Sequence, residues 1–530
     1  MTNPQRKPML NPAVPGFHPD PSVVRVGADY YLACSSFEYF PGIPLFHSTD
    51  AEHWEPIGHV VTRPKQLALT DVPTGGGVWA PTIRHHDGLF WVTVTDAMGR
   101  GPLIFTAERP EGPWSDGIVM VGAPGIDHDI AWDSAGACYV TFSGLLLEGP
   151  ELGKHLGIQQ VRIDPHTGEA LEAPRSLWSG TGLKFPEAPH LYEIDGTWYL
   201  MIAEGGTERG HSISIARGDS PMGPFEGCGR NPVYSHRSTN HPVQNAGHGD
   251  LVRTDGGWVV ILLGTRPGGM TQAFAPMGRE TFATTVTWVD GWPVVDALTL
   301  TPDLPPTQLS TTFAPDDDLG LEWLSVRDGD RTWASLDERA GWLTLHGAAS
   351  RAGSAGSRAG AGADVGADVA ARAPIAMDDP GPHFLGRRQQ HVISRCAALV
   401  DPGPTGVGGL SVRYDEAHHY DIEVGGGVVR ARVRLDQVDQ TWEVPAPDGP
   451  VELWITTTPP IVEGMGLAGM TCDIVRLGFG SGDDRVQVAE MDGRYLTSDT
   501  AASFTGRVTG MYAAAGEVAF ERFTYEGHHV

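Results

Sequence analysis

The sequence predicts an all-β chain: a five-bladed β-propeller followed by a β-sandwich. Three observations lead there. The stretches 20–31, 80–91, 128–139, 188–199 and 248–259 repeat one pattern of strand, tight turn and second aromatic strand, with starts 60, 48, 60 and 60 residues apart. Such a repeat of short strands is a propeller signature. Helical periodicity is almost absent, and short Val, Ile, Thr, Tyr and Trp runs alternate with Gly, Pro and Asp turns. A stiff, Pro-rich boundary at Thr301–Thr307 then separates the repeats from a second β region. With 530 residues the chain is also too long for one ordinary core.

The propeller is expected over residues 11–305. Outer strands echo one another at Ser48–Trp54, Ala107–Trp114 and Ala216–Phe225, each a strand end, a turn and an anchoring aromatic. The sandwich is expected over 310–530, from alternating strands such as Trp342–His346, Gly409–Tyr414, Val428–Arg434 and Val451–Thr457. Within it, 348–372 is a low-complexity segment of Ala, Gly, Ser, Arg, Asp and Val, too poor in apolar side chains to pack and so expected as a surface loop.

Bulk composition narrows the partners. The formal charge of −28 argues against nucleic acid and anionic membranes and leaves neutral small molecules and sugars open. The five cysteines (34, 138, 228, 396 and 472) are widely spaced with no CxxC, which argues against a disulfide framework or a zinc cluster. The first ten residues lack an apolar h-region, and the apolar run Trp258–Leu263 is too short to span a bilayer, so a soluble cytoplasmic protein is expected. Homo-oligomerisation is compatible with this composition.

The residues with chemical potential stand at the front of the repeats: Asp20, Trp79, Asp127, Glu187 and His248. In a radial fold such positions converge on one axis. Asp20 lies between prolines, which hold the backbone extended, although Asp before Pro also marks ordinary turns. Glu187 lies among Phe185, Pro186 and Pro189 just before a strand, where burial would raise its pKa as a general acid requires. Asp127 precedes its strand as Glu187 does. Asp129, on the same side of a strand, is not separated from it by sequence, and the nearby Asp133 suits a turn. Two carboxylates about a sugar bond are the minimum for glycoside hydrolysis, and a third raises the acid's pKa by repulsion. Phe37 and Trp79 are candidate sugar platforms, with ordinary core packing as the alternative. His248 could hold a water or a metal, and Arg279 could bond hydroxyls or hold a carboxylate charged.

Together these segments resemble glycoside hydrolase family 43, in its β-xylosidase branch. The likeness is carried by Asn11–Ser22, Ser35–Gly42, Gly77–Thr82, Pro186–Tyr192, Ala203–Thr207, Ala246–Val252, Gly278–Thr281, Phe384–His391 and Phe504–Gly510. It implies a five-bladed propeller with a concanavalin-like β-sandwich, and an inverting exo-hydrolase with Asp20 as general base, Glu187 as general acid and Asp127 as the residue that tunes the acid and orients substrate. It implies substrate contacts from Phe37, Trp79, His248 and Arg279, and Phe504 lent to the pocket rim by the sandwich. No cofactor is required. Calcium in the channel, reached from His248 through water, is the one metal the resemblance admits. An inverting site should part base and acid by roughly 6.5–9.5 Å. The implied substrates are β-1,4-xylooligosaccharides cut at the non-reducing end, or arabinose-bearing oligosaccharides cut by α-L-arabinofuranosidase activity, alone or as a second function. A non-catalytic carbohydrate-binding protein is the reading from another class, and the three carboxylates weigh against it. Fructan-cleaving propellers use an Arg-Asp-Pro motif, which is absent. Two departures stand out: His128 follows Asp127 where relatives carry Pro, and 348–372 reads as an insertion.

Overall fold

The computed structural model describes residues 8–147, 149–302, 304–314, 319–347, 377–461, 467–501 and 503–529; the 348–372 segment lies outside them. The first half is five four-stranded antiparallel sheets, each built from neighbouring strands of one stretch of chain, with Tyr39–Phe40 alone leaving the first sheet to pair elsewhere. Their innermost strands are Ser22–Val26, Gly77–His86, Ile126–Trp132, Glu187–Ile194 and Gln244–Thr254. Each of these touches the next, and the last touches the first, so the blades close into a ring. Hairpin turns set the local geometry. Asp87-Gly88 and Asp195-Gly196 have positive φ at both positions, the backbone whose twist matches two antiparallel strands.

The blades are glued by apolar seams. Leu45 and Val60 meet Ile83, Val92 and Phe105 between the first and second blades. Ile104 and Trp91 meet Ile130, Val140 and Phe142 between the second and third. Ile158 meets Leu191 and Leu200, Met201 meets Val260 and Phe282, and Ile261 meets Val23 and Leu32, completing the circle. Strands buried on both faces explain why the sequence reads as apolar runs rather than clean alternation.

No strand is exchanged between the first and last blades, so closure falls to the N-terminal segment. Val14 bridges Thr281 on the third strand of the last blade. The buried Asn11 amide donates to Ala283 O and accepts from Ala283 N, both at 2.8 Å. It thus extends that strand's ladder with a side chain. His18 N and Thr281 Oγ1 add bonds to Arg279 O (3.2 Å) and His18 O (2.6 Å).

The second half packs two sheets face to face. One holds Phe384–Arg388, Val508–Ala515, Val407–Asp415, His418–Gly425, Val428–Leu435 and Val438–Pro445. The other centres on Glu517–His528, Ile393–Asp401 and Val451–Thr458. Leu410, Tyr420, Ile422, Leu453, Val475, Met511 and Phe520 fill the space between. The two halves are sewn together: Ser325–Val326 pairs antiparallel with Tyr39–Phe40, and Phe17, Phe37 and Tyr39 share one cluster with Leu324, Phe384 and Val508.

Replacing Asn11 with Ala strands the N–H and C=O of Ala283 in a buried site. The expected cost is about 2–4 kcal/mol, read as a fall in the guanidinium midpoint; an unchanged midpoint would show that the clasp does not close the ring.

Candidate active site

Each inner strand starts with the same device. Asp20, Ala80, Asp127, Ala188 and His248 all adopt left-handed backbone, with φ of 56, 43, 56, 49 and 46°. On blades two to five the ladder skips register there, between Trp79 and Thr82, Ile126 and Asp129, Glu187 and His190, and Gln244 and Gly249. A left-handed non-Gly residue costs roughly 1–2 kcal/mol, and bulges of this kind re-aim side chains at functional rims. The five front positions are not all equivalent. Asp127 shares its position with Asp20 and Ala188, whereas Glu187 is one residue earlier and matches Trp79 and Ile126.

Two residues beyond the bulge, the strands supply Ser22, Asp129, His190 and Asp250, with Arg84 entering from the second blade. Arg84 donates to Asp129 Oδ1 at 2.7 Å and to Asp250 Oδ2 at 2.8 Å, and lies 3.0 Å from His190 Nδ1. Ser22 Oγ and Tyr192 OH donate to Asp250 at 2.7 and 2.5 Å. This buried network plugs the ring. It also settles Asp129, whose charge belongs to Arg84 and not to the pocket.

Above the plug lies a cavity of about 370 Å³ lined by Asp20, Phe37, Trp79, Asp127, Glu187, His248, Arg279 and Phe504. All eight residues singled out from the sequence therefore converge on one hollow. Asp20 Oδ1 accepts from Arg279 Nη1 at 3.1 Å and lies 3.3 Å from His248 Nδ1, while Oδ2 accepts from Ser35 Oγ at 2.6 Å. Burial pushes the Asp20 carboxyl up, but Arg279, His248 and Ser35 outweigh it and hold the group well below the usual carboxylate range. Glu187 is pushed the other way. Burial first, then the charges of Asp127 and Asp20, raise it to about 8, against Arg279 and Lys184. Asp127 is also raised, by burial and by Asp20, although His248 opposes this and Ala188 N donates to its Oδ2 at 3.0 Å. At neutral pH the hollow thus presents an ionised aspartate and a protonated glutamate.

The rim is aromatic. Phe504 stacks on Phe37 with centroids 6.3 Å apart and meets Trp79 edge-on at 5.9 Å. Arg279 lies over both Phe37 and Phe504 and donates to Phe504 O at 3.1 Å. The loop that carries Phe504 comes from the sandwich. Tyr414 OH bonds Ser503 O at 2.8 Å, and the loop docks where Gly278 and Gly506 meet: a Cβ on Gly278 would sit 2.6 Å from Thr505 O, and one on Gly506 2.3 Å from Met277 O.

Several contributors carried no signal of their own in the sequence. Ser35, Thr207 (bonded to Arg279 Nη1 at 3.1 Å), His211 and Phe185 are ordinary residues until the fold places them. Ser35 and Thr207 do fall inside the motifs that carried the family resemblance. His128 turns away from the pocket and stacks on Phe142 at 5.2 Å, with Nε2 2.9 Å from Ala123 O, so the missing proline leaves the bulge intact. The residues do not fit a directly bound calcium. Such an ion needs six to eight oxygens, Arg84 already engages those of Asp129 and Asp250, and among the described residues no three His, Cys, Asp or Glu side chains form a metal cluster.

A proton donor and an ionised acceptor facing one blind, aromatic-rimmed hollow define a glycoside hydrolase. Sequence comparison agrees. Residues 9–293 match Glycosyl hydrolases family 43, and residues 310–526 match the Beta xylosidase C-terminal Concanavalin A-like domain. The chain belongs to glycoside hydrolase family 43. It is 36% identical to a non-reducing end alpha-L-arabinofuranosidase, BoGH43B, of Bacteroides ovatus over 96% of this chain and 92% of that one. It is 37% identical to a xylosidase/arabinosidase of Butyrivibrio fibrisolvens over 63% of this chain and 68% of that one. Among solved structures, the Bacteroides ovatus xyloglucan-locus GH43B superposes with a TM-score of 0.82 at 32% identity, covering 98% of this chain and 99% of that chain.

The raised Glu187 carries a sign for stability. Its folded form holds a proton that the unfolded chain loses near the ordinary glutamate value of 4.5, so it makes the protein less stable as pH rises from there to about 8. Glu187→Gln removes this penalty. Its thermal midpoint should gain on the wild type progressively between pH 5 and 8 and hold the gain above; a constant offset across that range would contradict the assignment.

Proposed function

We propose that the chain is an exo-acting, inverting β-xylosidase that releases one xylose at a time from the non-reducing end of short β-1,4-xylooligosaccharides. The observation that carries this reading is the meeting, in one closed-bottomed pocket, of Asp20 bonded to Arg279 and Ser35 with Glu187 set beside other carboxyls. The Arg84 plug blocks passage through the ring, and the Phe504 rim narrows entry, so a chain end fits where a chain middle does not.

In this reading Asp20 takes a proton from a water as that water's oxygen bonds the anomeric carbon. The glycosidic C–O bond breaks as Glu187 gives its proton to the departing oxygen. Configuration at the anomeric carbon inverts in that single step. Arg279, His248 and Ser35 keep Asp20 ionised in the resting enzyme. Asp127 keeps Glu187 loaded, since ionising both would set like charges side by side. Phe37, Trp79 and Phe504 offer apolar faces to the sugar ring, and Arg279 retains donors for its hydroxyls. No step calls for a cofactor.

A second reading, α-L-arabinofuranosidase alone or beside the first activity, is favoured by one observation: the relative matched nearly end to end bears that activity in its name. Rates on the two nitrophenyl glycosides separate the readings, and an arabinofuranoside rate far above the xyloside rate would reverse the order.

Three outcomes are expected. Proton NMR of xylotriose digestion should show α-xylose first, from the non-reducing end; initial β-xylose would rule out the single-displacement scheme. Glu187→Ala should lower kcat/KM on xylobiose by about 10²–10⁴-fold and abolish a basic limb near pH 8, with a smaller loss on nitrophenyl xyloside, whose leaving group needs no proton. Phe504→Ala should raise KM with little change in kcat, because a rim contact binds ground and transition states alike; a fall in kcat alone would place Phe504 in the chemistry.

A further inference from the structure

A second cavity, of about 90 Å³, lies in the seam between the two domains on the far side of Phe17 from the sugar pocket. The propeller lends it His18, Phe46 and His59; the sandwich lends Glu322, Arg387 and Arg388. Several of its donors lack acceptors among the described residues. Arg388 is 6% exposed, yet its Nε and Nη2 have no hydrogen-bond partner, and its guanidinium lies over the Phe17 ring at 4.7 Å. Arg387 is 4% exposed, its Nε is likewise unpartnered, its Nη2 reaches Gln390 Oε1 at 3.4 Å, and its guanidinium lies over the Tyr525 ring at 4.6 Å. His59 Nε2, on a ring 5% exposed, has no partner either. Neither arginine has a carboxylate within ion-pair distance among the described residues. Glu322, the one acid lining the cavity, is exposed and pairs with neither.

We propose that this seam is a binding site for a small tetrahedral oxyanion, of the phosphate or sulfate class. Burying a guanidinium without a counter-charge costs several kcal/mol, and among the described residues no carboxylate reaches Arg388. A planar guanidinium presents paired N–H groups that match two oxygens of one oxyanion, and two adjacent guanidiniums with a histidine N–H offer donors to the others. The cavity is a quarter of the sugar pocket's size, which favours an ion over a saccharide. Burial pushes the Arg388 guanidinium down to about 10 and the His59 ring down to about 3, as expected for cation-forming groups without a counterion. Occupancy would tie the sandwich strand Phe384–Arg388 to the first blade and to His18, two residues before Asp20. The site would then brace the clasp from behind.

Inorganic phosphate and sulfate, titrated into the full chain against sodium chloride of equal ionic strength, test this. Calorimetry should show one saturable site, with a thermal midpoint raised by about 2 °C or more at saturation. Arg388→Met should lose the binding, and His59→Leu should weaken it about tenfold or more, the loss of one charge-assisted bond. The second variant carries the test if the first does not fold. Wild-type protein that responds to phosphate no more than to chloride overturns the proposal. So does binding that both variants retain, or that saturating xylose displaces, since that would place the anion on Arg279 in the sugar pocket.

Discussion

A five-strand ring has a polar axis that must be satisfied, and here one guanidinium does most of that work. Arg84 binds Asp129 and Asp250 from two other blades, and Ser22, His190 and Tyr192 complete the set. Every blade thereby contributes to one buried network. Burying an arginine and two aspartates is expensive, and a buried ion pair is weak grounds for stability as such. Its value here is geometric. The bonds run between strands remote in sequence and fix how far each inner strand reaches toward the axis. Asp250 is held well below its ordinary range despite burial, chiefly by Arg84, so the network keeps its charges. Asp20, Asp127 and His248 stand two positions ahead of Ser22, Asp129 and Asp250, Glu187 stands three ahead of His190, and all inherit that alignment.

The same ring divides three similar carboxyls by their neighbours. All three are pushed up by burial. Asp20 alone meets a guanidinium, an imidazole and a hydroxyl, and it stays ionised. Glu187 meets mainly other carboxylates and holds its proton. Nothing intrinsic to Asp or Glu makes this assignment. It follows from where the fold sets Arg279, which begins the strand that the Asn11–His18 clasp bonds.

The sandwich is part of the site and not an appendage. Its loop supplies Phe504, its Tyr414 fixes that loop, and its strand Ser325–Val326 pairs behind Phe37. The close approach of Gly278 to Gly506 and Thr505 makes the docking possible. A propeller alone would leave the pocket open on that side.

Much of this was legible in the sequence. The repeat spacing announced the blades, because each blade is one local antiparallel unit with its own turn residues. Asp20, Asp127 and Glu187 could be picked out because a radial repeat sends like positions to one place. What the sequence could not separate was a matter of one residue. Asp127 and Glu187 look equivalent when counted from the strand, and Asp129 looks interchangeable with Asp127. The bulges break that count by inserting a left-handed residue, which is invisible in a pattern of residue types because Asp, Ala and His all occupy it. Arg84 and Asp250 carried no signal, since their meaning lies wholly in partners 45 to 228 residues away. Local chemistry wrote the strands and turns; the direction of each proton, and which acid belongs to the pocket, were decided only when distant charges met around the axis.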